Sequence, residues 1–518
     1  MTNPVKRVVI LGGGTAGWIT AGLIAADHPP GFDDSVQVTL IESPDVGPIG
    51  VGEGTWPTMR ETLKRIGLPE SDFIASCEAS FKQGSKFIGW ANGELGDQYY
   101  HPFMLPEGYH DFPVADVWQR LPTDKPFAEV MGAQPHVCER ALAPKQITTP
   151  DYEGVFNYGY HLNAGLFGER LKQHCTNKLG VRFISDHVTG INGDKHSDIE
   201  GLHTREHGLL EGDLFIDCSG SKALLIGEHY GVPFRSQSHI LFNDRALAVQ
   251  VPYATDDADI ASATLSTAQD VGWIWDIGLP SRRGVGYVFA SGYTDEDQAR
   301  VCLDQYLRAS VDTATADSLE PRLISFEPGY RQVFWQHNCV AVGMASGFLE
   351  PLEASALALV ELSAKMISDE LPMTRATMGV VAKRFNERFH YRWNRIIEFL
   401  KLHYVLSQRP GAYWQDNRDA DSIPQSLTEL LSLWQQRTPN RNDFYHVDEV
   451  FPAASYWYVL YGMGFKPEVL FGSRGARDYA AARSTFEQVL KRLPQYLQAM
   501  PTNRRLIKQI LAQAAPTP

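Results

Sequence analysis

Three glycines near the start of the chain have the spacing of a dinucleotide-binding turn, Gly12-x-Gly14-x-x-Gly17. They follow an apolar run at residues 8–11 whose β-branched content is typical of a buried strand. Gly12 allows a tight turn, Gly14 lets a diphosphate approach the backbone, and Gly17 lets the following helix pack closely. A second apolar run ends at Glu42, whose carboxylate can accept a hydrogen bond from a ribose hydroxyl. This context favours a dinucleotide site over a glycine turn without a nucleotide.

Two lysines, Lys82 and Lys86, stand among aromatic residues in the segment 79–90. A lysine in such surroundings usually extends its amine to the surface, which is the simpler interpretation. Desolvation can instead make a lysine amine reactive, so a chemical role stays open for either residue.

A strand, a loop and a helix follow one another within residues 339–361. The helix begins near Ser355 and Ala356, and its first backbone N–H groups have no helical partner. These groups can bind an anion.

The 518 residues include 47 basic and 61 acidic side chains, which gives a net charge of −14. A surface of this charge disfavours nucleic acids and anionic membranes as partners. The sequence shows no apolar run of membrane-spanning length and no signal peptide. Its cysteines and histidines lack metal-ligand or redox spacing, so we expect reduced thiols, no metal site and a cytoplasmic location.

The order of the patterns predicts an α/β fold with a Rossmann-type nucleotide domain. A strand ending at Asp217 is placed as a later strand of a flavin domain that returns to the cofactor. Short β-type runs predict an antiparallel sheet at about 238–330, interleaved in the nucleotide domain. Residues 95–155 are rich in aromatic residues without clear periodicity, which suggests an insertion that lines a pocket, or simply aromatic core. From about residue 362 the pattern is helical, including 380–404 and 484–497.

Over most of its length the chain resembles the flavin-dependent halogenases of the tryptophan halogenase family. The resemblance rests on the glycine motif, on Trp273-Ile-Trp275-Asp-Ile277, and on Gly347-Phe-Leu-Glu-Pro-Leu-Glu353. The second segment is similar to the family signature Trp-x-Trp-x-Ile-Pro. Gly278 stands where that signature has proline, which predicts a local shift of the loop.

The resemblance gives Lys82 and Glu353 catalytic roles. It implies that reduced FAD, O₂ and a halide generate hypohalous acid, which travels through an internal tunnel to the substrate. Lys82 would hydrogen-bond this acid or form a haloamine, and Glu353 would tune the lysine or take the proton from the arene. The halide would lie at the N–H groups of Ser355 and Ala356. Because the family usually has Ser-Thr-Gly where this chain has Ala354-Ser355-Ala356, bromide or chloride can be the halide.

The cofactor implied by the resemblance is FAD, used as FADH₂. Its expected contacts are Gly12, Gly14, Thr15, Ala16, Gly17, Glu42, Gly52, Glu53, Val188, Asp217 and Leu357. Because no second dinucleotide motif is present, we expect a separate flavin reductase to supply FADH₂. The predicted domains are an FAD-binding domain at 1–365 and a helical substrate-binding region at 366–518. The oligomeric state stays open, and a homodimer is one possibility.

His101 and Phe103 match aromatic positions that enclose the indole ring in the tryptophan-specific members of the family. Trp457 is a candidate for a third wall of the substrate pocket. Residues 437–453 differ from the segment by which tryptophan-specific family members grip the amino-acid end of tryptophan. Indole or an indole derivative is therefore a more credible substrate than free tryptophan.

Two other functions share parts of these patterns. A flavin-dependent aromatic hydroxylase would have the same glycine motif and the Asp217 region, but it has no need of Lys82 with Glu353. A non-catalytic flavin-binding protein would have no use for a buried reactive lysine.

Overall fold

The computed structural model describes residues 3–47, 52–444, 446, 449–467 and 473–514. Part of the glycine-rich loop at 47–58 and part of the segment 437–453, both singled out in the sequence, lie outside these residues. In the described ranges, no helix is long and apolar enough to cross a membrane.

The strands are, in chain order, β1 (Arg7–Leu11), β2 (Gln37–Glu42), β3 (Gly52–Gly54), β4 (Ser80–Lys82), β5 (Gly84–Ile88), β6 (Gln98–Pro102), β7 (Gly159–Asn163), β8 (Arg182–Ser185), β9 (Val188–Asn192), β10 (Gly201–Thr204), β11 (Leu209–Glu211), β12 (Leu214–Asp217), β13 (Phe234–Ser236), β14 (Arg245–Pro252), β15 (Thr264–Ala268), β16 (Trp273–Gly278), β17 (Arg282–Phe289), β18 (Arg322–Ser325), β19 (Gly329–Arg331), β20 (Trp335–Gln336), β21 (Cys339–Ala341) and β22 (Gly347–Phe348).

The α-helices are α1 (Thr15–Asp27), α2 (Thr58–Arg65), α3 (Glu70–Ser76), α4 (Val114–Trp118), α5 (Phe127–Met131), α6 (Gln134–Glu139), α7 (Ala164–Asn177), α8 (Glu296–Arg308), α9 (Thr313–Asp317), α10 (Ser355–Asp369), α11 (Arg375–Leu406), α12 (Ala412–Asp416), α13 (Gln425–Gln436), α14 (Ala453–Gly462), α15 (Ser473–Ala499) and α16 (Asn503–Ala514). Single turns of 3-10 helix include Gly343–Ala345 and Leu352–Ala354, and Leu224–His229 is π-helical.

The chain divides into two compact units of interleaved segments. The first unit comprises Met1–Ala79, Leu162–Gln237 and Glu327–Trp393, and the second comprises Ser80–His161, Ser238–Phe326 and Asn394–Pro518. The second unit thus contains the sheet at 238–326 together with the C-terminal segment from Asn394, and the predicted boundary at residue 365 stays a prediction. The predicted α/β fold, with an antiparallel sheet and a helical C-terminal region, is confirmed.

The first unit is organised by a six-stranded sheet of order β20-β21-β12-β1-β2-β8, parallel except for β20. Residues Val8, Val9 and Ile10 of β1 are fully buried, as expected for a strand covered on both faces. Leu11 pairs with Asp217 and with Ile41, so β1, β2 and β12 end at the same edge of the sheet. Ligands of open parallel sheets bind at this edge.

The second unit contains a seven-stranded sheet of order β18-β14-β17-β16-β15-β5-β6. All neighbours are antiparallel except β5 and β15, which confirms the antiparallel sheet predicted at 238–330. Strand β6 lies within the predicted pocket insertion at 95–155. Its residues Tyr99 and Tyr100 are both buried although they face opposite sides, and this two-sided burial explains why no alternation was visible in the sequence.

Helices α8 and α14 pack against this sheet inside the second unit. On one face of the sheet, Leu247, Ile274 and Val285 pack against Leu303 of α8. Strand β6 packs against α14, and a Cβ atom placed on Gly462 would lie 2.5 Å from the ring of Tyr99. The predicted helices at 380–404 and 484–497 are confirmed within the longer α11 and α15.

A buried carboxyl group joins α2 and α10 in the first unit. The hydroxyl group of Thr62 donates a hydrogen bond of 2.6 Å to one oxygen of Glu361, and that of Thr58 donates one of 3.3 Å to the other. Burial raises the pKa of Glu361 to about 8, even though both hydrogen bonds favour the ionised form. Glu361 is therefore protonated in the folded protein at neutral pH.

Replacing Glu361 by glutamine is expected to remove a pH dependence of stability. Between the ordinary glutamate pKa of about 4.3 and the folded value, the unfolded chain has lost a proton that the folded chain keeps. The free energy of unfolding therefore falls with rising pH in the wild type, by up to about 1.4 kcal/mol per pH unit from this group. Urea unfolding at pH 5 and pH 8 should show Glu361→Gln gaining stability relative to wild type at the higher pH. An equal difference at both values would contradict the assignment.

Candidate functional site

The turn between β1 and α1 leaves no room for side chains at two of its glycines. Gly12 has a φ of +116°, and a Cβ atom placed there would lie 2.1 Å from the carbonyl oxygen of Cys218. A Cβ atom on Gly17 would lie 2.0 Å from the carbonyl oxygen of Gly12. Both distances are far inside van der Waals contact, so only glycine allows this turn and the close packing of α1.

Gly14 differs from the other two glycines because the space beside it is open. No atom lies within 4 Å of a Cβ atom placed on it, and its backbone is extended, with φ −71° and ψ 177°. Gly14 caps α1 without a side-chain hydrogen bond. The first-turn N–H groups, those of Thr15 and Ala16 among them, therefore face a ligand position with positive partial charge, as a diphosphate requires.

The predicted ribose partner lies directly over this turn. A Cβ atom on Gly13 would come within 2.3 Å of the side-chain carboxyl carbon of Glu42, at the end of β2. The ammonium group of Lys172 lies 3.3 Å from the same carboxylate. A dinucleotide on the glycine turn would place its ribose hydroxyl groups near this carboxylate. The residues at the turn thus fit the cofactor that the sequence predicts.

Asp217 holds the protein rather than presenting its carboxylate to a ligand. Its two oxygens accept hydrogen bonds from the N–H groups of Leu225 (2.8 Å), Ile226 (2.9 Å) and Ser219 (3.0 Å), and from the hydroxyl group of Ser219 (2.5 Å). Burial raises the pKa of Asp217 while these hydrogen bonds oppose the shift. The carboxylate fixes the turn after β12, beside the glycine turn, and its predicted cofactor contact stays a prediction.

Three other predicted cofactor residues lie on short strands of the first unit. Gly52 and Glu53 form β3, and burial raises the pKa of Glu53 to about 7. Val188 begins β9 and packs against the apolar cluster that contains Leu11 at the end of β1. Their contact with a cofactor stays a prediction.

The segment before α10 has an unusual backbone. Glu353 and Ala354 have φ values of +62° and +54°, a left-handed conformation that costs about 1–2 kcal/mol for each residue with a Cβ atom. The indole N–H group of Trp56 donates a hydrogen bond of 2.7 Å to the carbonyl oxygen of Glu353, which holds the turn. The side chain of Glu353 is buried, and the hydrogen bond from Trp56 fixes the backbone from which it extends.

The same segment leads back to the glycine turn. A Cβ atom on Gly343 would lie 2.8 Å from the Cβ atom of Ala16, so the loop before α10 contacts the start of α1. Helix α10 begins without a side-chain cap; Ser355 and Leu357 are buried, and Ala356 is exposed. The backbone N–H groups of this first turn can hold an anion. The loop that leads to α10 thus contacts the start of α1 within the first unit.

The second unit contains the two lysines, in different environments. Lys82 ends β4, is only 1% exposed, and has its ammonium nitrogen 5.5 Å from the centre of the Phe103 ring. Phe103 is held there because its N–H group donates a hydrogen bond of 3.0 Å to the carbonyl oxygen of Gln83. Lys86 forms a partly exposed ion pair of 2.5 Å with Glu139. The surface interpretation therefore applies to Lys86, while Lys82 is a desolvated amine beside an aromatic ring.

Two more predicted pocket residues meet at α14. His101 Nε2 lies 2.9 Å from the hydroxyl oxygen of Ser455, and its ring centre lies 5.7 Å from that of Phe399. Trp457, two residues after Ser455, donates its indole N–H group to the carbonyl oxygen of Pro439 at 2.8 Å. One polar atom of His101 and that of Trp457 are thus bound within the protein.

Trp273 and Trp275 lie on the same face of β16 and are both buried. The ring of Trp273 lies 6.1 Å from that of Trp90, and Trp275 covers Gly286, where a Cβ atom would lie 2.1 Å from its ring. The pair therefore packs within the second unit. Gly278 remains in β16 and pairs with Arg283, so the strand continues through the position where the signature has proline.

Sequence reasoning missed two residues that lie close to the proposed catalytic groups Glu353 and Lys82. Trp56 lies in the glycine-rich loop and holds the backbone of Glu353. His161 lies on β7 and is fully buried on the strand pair that carries Lys82. The loop composition gave a weak signal for Trp56, and a lone histidine gives none.

The chain matches the family model described as tryptophan halogenase over residues 7–475. It is 32% identical to the 7-chloro-L-tryptophan 6-halogenase KtzR of Kutzneria sp. (strain 744), and the match covers 96% of this chain and 98% of the relative. The crystal structure of a tryptophan halogenase from Shewanella frigidimarina is similar with a TM-score of 0.95 and 49% identity, covering 99% of both chains. BrvH, a flavin-dependent halogenase from Brevundimonas sp. BAL3, is similar with a TM-score of 0.85 and 29% identity, covering 98% and 99%.

Replacing Gly14 by alanine is expected to weaken FAD binding without unfolding the chain. The methyl group meets no protein atom within 4 Å, but it occupies the space through which a diphosphate reaches the backbone. We expect the Kd for FAD, measured by quenching of flavin fluorescence, to rise about tenfold or more, or about 1.4 kcal/mol. The matched control is Gly379→Ala in α11, where a Cβ atom also meets nothing within 4 Å. If both variants bound FAD with equal affinity, the diphosphate could not be assigned to the space beside Gly14.

Proposed function

The chain belongs to the tryptophan halogenase family as a flavin-dependent halogenase, an oxidoreductase that uses a flavin and a halide, and we propose that it halogenates an indole-type ring with O₂ and bromide or chloride. The observation that carries this proposal is the buried amine of Lys82 beside the ring of Phe103. The amine of a surface lysine would be mobile in solvent, whereas this buried amine can hold a reagent at a fixed place.

The residues of the glycine turn would hold the cofactor, FAD. Backbone N–H groups of Thr15 and Ala16 would bind the diphosphate beside Gly14, and Glu42 would accept a hydrogen bond from the ribose. In its reduced form the bound flavin supplies, together with O₂, the oxidising power that converts halide to hypohalous acid. A separate flavin reductase would supply FADH₂, since the sequence has one dinucleotide motif.

The start of α10 would hold the halide. Ser355 and Ala356 present backbone N–H groups in the first turn of the helix, where the partial positive charge favours an anion. The left-handed residues Glu353 and Ala354 set the direction in which this turn faces. Because backbone groups bind by charge and distance rather than by side-chain chemistry, both chloride and bromide would be accepted.

Lys82 would capture hypohalous acid and direct it to the ring. Its amine either hydrogen-bonds the acid as an ammonium group or, once deprotonated, forms a haloamine and releases water. A buried donor polarises the bond between oxygen and halogen more strongly than a solvated one, because little water competes for it. The ring carbon then takes the halogen as an electrophile and loses its proton. From the hydrogen-bonded acid the oxygen leaves as water at this step, whereas from the haloamine the nitrogen gains a proton and the lysine amine is restored.

Glu353 would complete this chemistry in one of two ways. Its carboxylate can favour the charged form of Lys82, or it can accept the proton that the ring loses after the halogen is added. The hydrogen bond from Trp56 to its carbonyl oxygen fixes its backbone.

The substrate pocket would recognise ring faces. His101 and Trp457 direct polar atoms to Ser455 and Pro439, so their rings offer aromatic surface to a substrate. Phe103 adds a third ring, next to Lys82. Aromatic side chains bind a planar indole by stacking and edge contacts. This recognition requires no amino-acid group, so the substrate is indole or an indole derivative rather than necessarily free tryptophan.

Substituting Lys82 by methionine is expected to abolish halogenation while the protein still binds FAD. Methionine fills the same buried space without an amine, and loss of a positioned donor typically costs about 10²–10³ in rate. Mass spectrometry of a reaction with indole, FAD, a flavin reductase, NADH, O₂ and bromide measures the brominated product by its isotope doublet. The control is Lys86→Met, which breaks the ion pair with Glu139 and is expected to keep the activity. An oxygen adduct without halogen in the wild type would identify an aromatic hydroxylase instead.

A comparison of substrates tests the pocket separately. We expect kcat/KM for bromination of indole to exceed that for free tryptophan by about tenfold or more, because one lost polar contact amounts to about 1–3 kcal/mol. The measurement is competition between the two substrates in one vessel, read as the ratio of brominated products. A preference for tryptophan would show that the chain does grip the amino-acid end.

A further inference from the structure

His161 lies next to Lys82 on a pair of antiparallel strands in the second unit. In the pairing of β4 with β7, Ser80 is opposite His161 and Lys82 is opposite Gly159. Residues two apart on a strand share a face, so the side chains of Lys82 and His161 point to the same side as diagonal neighbours. The side chain of His161 is completely buried.

The imidazole ring of His161 is held at one nitrogen only. Its Nε2 lies 2.8 Å from the hydroxyl oxygen of Thr264 on β15. Its Nδ1 is buried and has no hydrogen-bond partner among the described residues. Leaving such an atom unsatisfied is unfavourable, and buried polar atoms are nearly always paired. A functional role for the Nδ1 atom of His161 would explain why an imidazole ring stands at this buried position.

The charge state of His161 depends on Lys82. Burial lowers the pKa of the imidazole well below its ordinary value of 6.5, and the positive charge of Lys82 lowers it further. The ring is therefore neutral at neutral pH and has a lone pair on one nitrogen. When Nε2 carries the proton and donates it to Thr264, Nδ1 is the acceptor, and the positive field of Lys82 favours this tautomer.

We propose that His161 is a positioning residue for Lys82, whose ammonium group donates one hydrogen bond to a water molecule that in turn donates one to Nδ1 of His161. This inference depends on the proposed role of Lys82 in capturing hypohalous acid. An ammonium group on a flexible four-carbon chain has three rotatable donors. Fixing one of them sets the directions of the other two, and Thr264 in turn sets the direction of the imidazole ring.

The inference separates two events in catalysis. Oxidation of halide takes place without His161, so hypohalous acid is formed at the same rate in its absence. Capture by Lys82 is what suffers, because an error of 1 Å in the position of a reacting group can cost about 10² in rate. Loss of His161 should therefore lower the yield of halogenated indole and increase the hypohalous acid that escapes into solution.

The experiment uses three substitutions that retain different parts of the ring. Asparagine keeps a polar atom near the position of Nδ1, glutamine keeps one near Nε2, and leucine keeps neither. Each full-length variant is assayed with FAD, a flavin reductase, NADH, O₂ and bromide. Brominated indole is measured beside bromination of monochlorodimedone, a soluble trap for hypohalous acid. FAD affinity and melting temperature are measured in parallel.

We expect His161→Gln and His161→Leu to lose at least about tenfold of the indole product while bromination of the trap rises. His161→Asn should stay within about threefold of the wild type, since it restores the acceptor near Nδ1. If His161→Leu gave the same ratio of brominated indole to brominated trap as the wild type, the inference would be wrong. It would also be wrong if all three variants lost indole product equally without more bromination of the trap.

A second variant decides the matter if the His161 variants do not fold. Thr264→Val removes the hydroxyl group that orients the imidazole and leaves His161 in place. This variant should also increase bromination of the trap relative to indole. A ratio equal to that of the wild type would overturn the inference. Absence of any halogenated product from the wild type would contradict the proposed function instead, so the two failures are distinguishable.

Discussion

The close approach of α1 to β1 is the constraint on which the first unit depends. A Cβ atom on Gly17 would lie 2.0 Å from the carbonyl oxygen of Gly12, so the helix can start here only if both residues are glycine. The N–H groups of the helix start then face the edge where the parallel strands end. Asp217 fixes the neighbouring turn with four hydrogen bonds, and Gly343 brings the loop before α10 against Ala16. One steric requirement thus sets the position of the cofactor residues and of the proposed halide turn.

The backbone before α10 stores strain where the proposed chemistry needs rigidity. Two consecutive residues with Cβ atoms, Glu353 and Ala354, are left-handed, which costs about 2–4 kcal/mol together. The hydrogen bond from Trp56 and the burial of α10 against α1 offset this cost. A glycine in place of Ala354 would relieve part of the strain but would also let the carboxylate of Glu353 and the first N–H groups of α10 change direction. The strain is therefore consistent with a role in orientation.

Local patterns in the sequence predict individual strands and helices, but they do not predict which of these elements pack together in one unit. The run at β1, the glycine turn and the helix α1 were predictable because each depends on neighbours in the chain. The parallel pairing of β5 with β15 joins residues about 180 positions apart, and no local signal announces it. This pairing places residues 80–161 and the sheet at 238–326 in one compact unit. The end of a strand in the sequence does not show which backbone donors bind the carboxylate of Asp217.

Lys82 could be singled out from its resemblance to a family, but its surroundings could not. A buried ammonium group is costly unless neighbouring groups stabilise its charge, and a second cation beside it would raise that cost. The strand register brings His161 to this place, and burial together with Lys82 keeps its imidazole uncharged. The ring of Phe103 presents its negative face within 5.5 Å of the ammonium nitrogen. A histidine that was charged here would repel the lysine, whereas the neutral ring can accept a hydrogen bond from a water molecule that Lys82 binds. The nearby positive charge that makes the imidazole a poor base therefore also makes the neutral ring a suitable partner for the reactive amine.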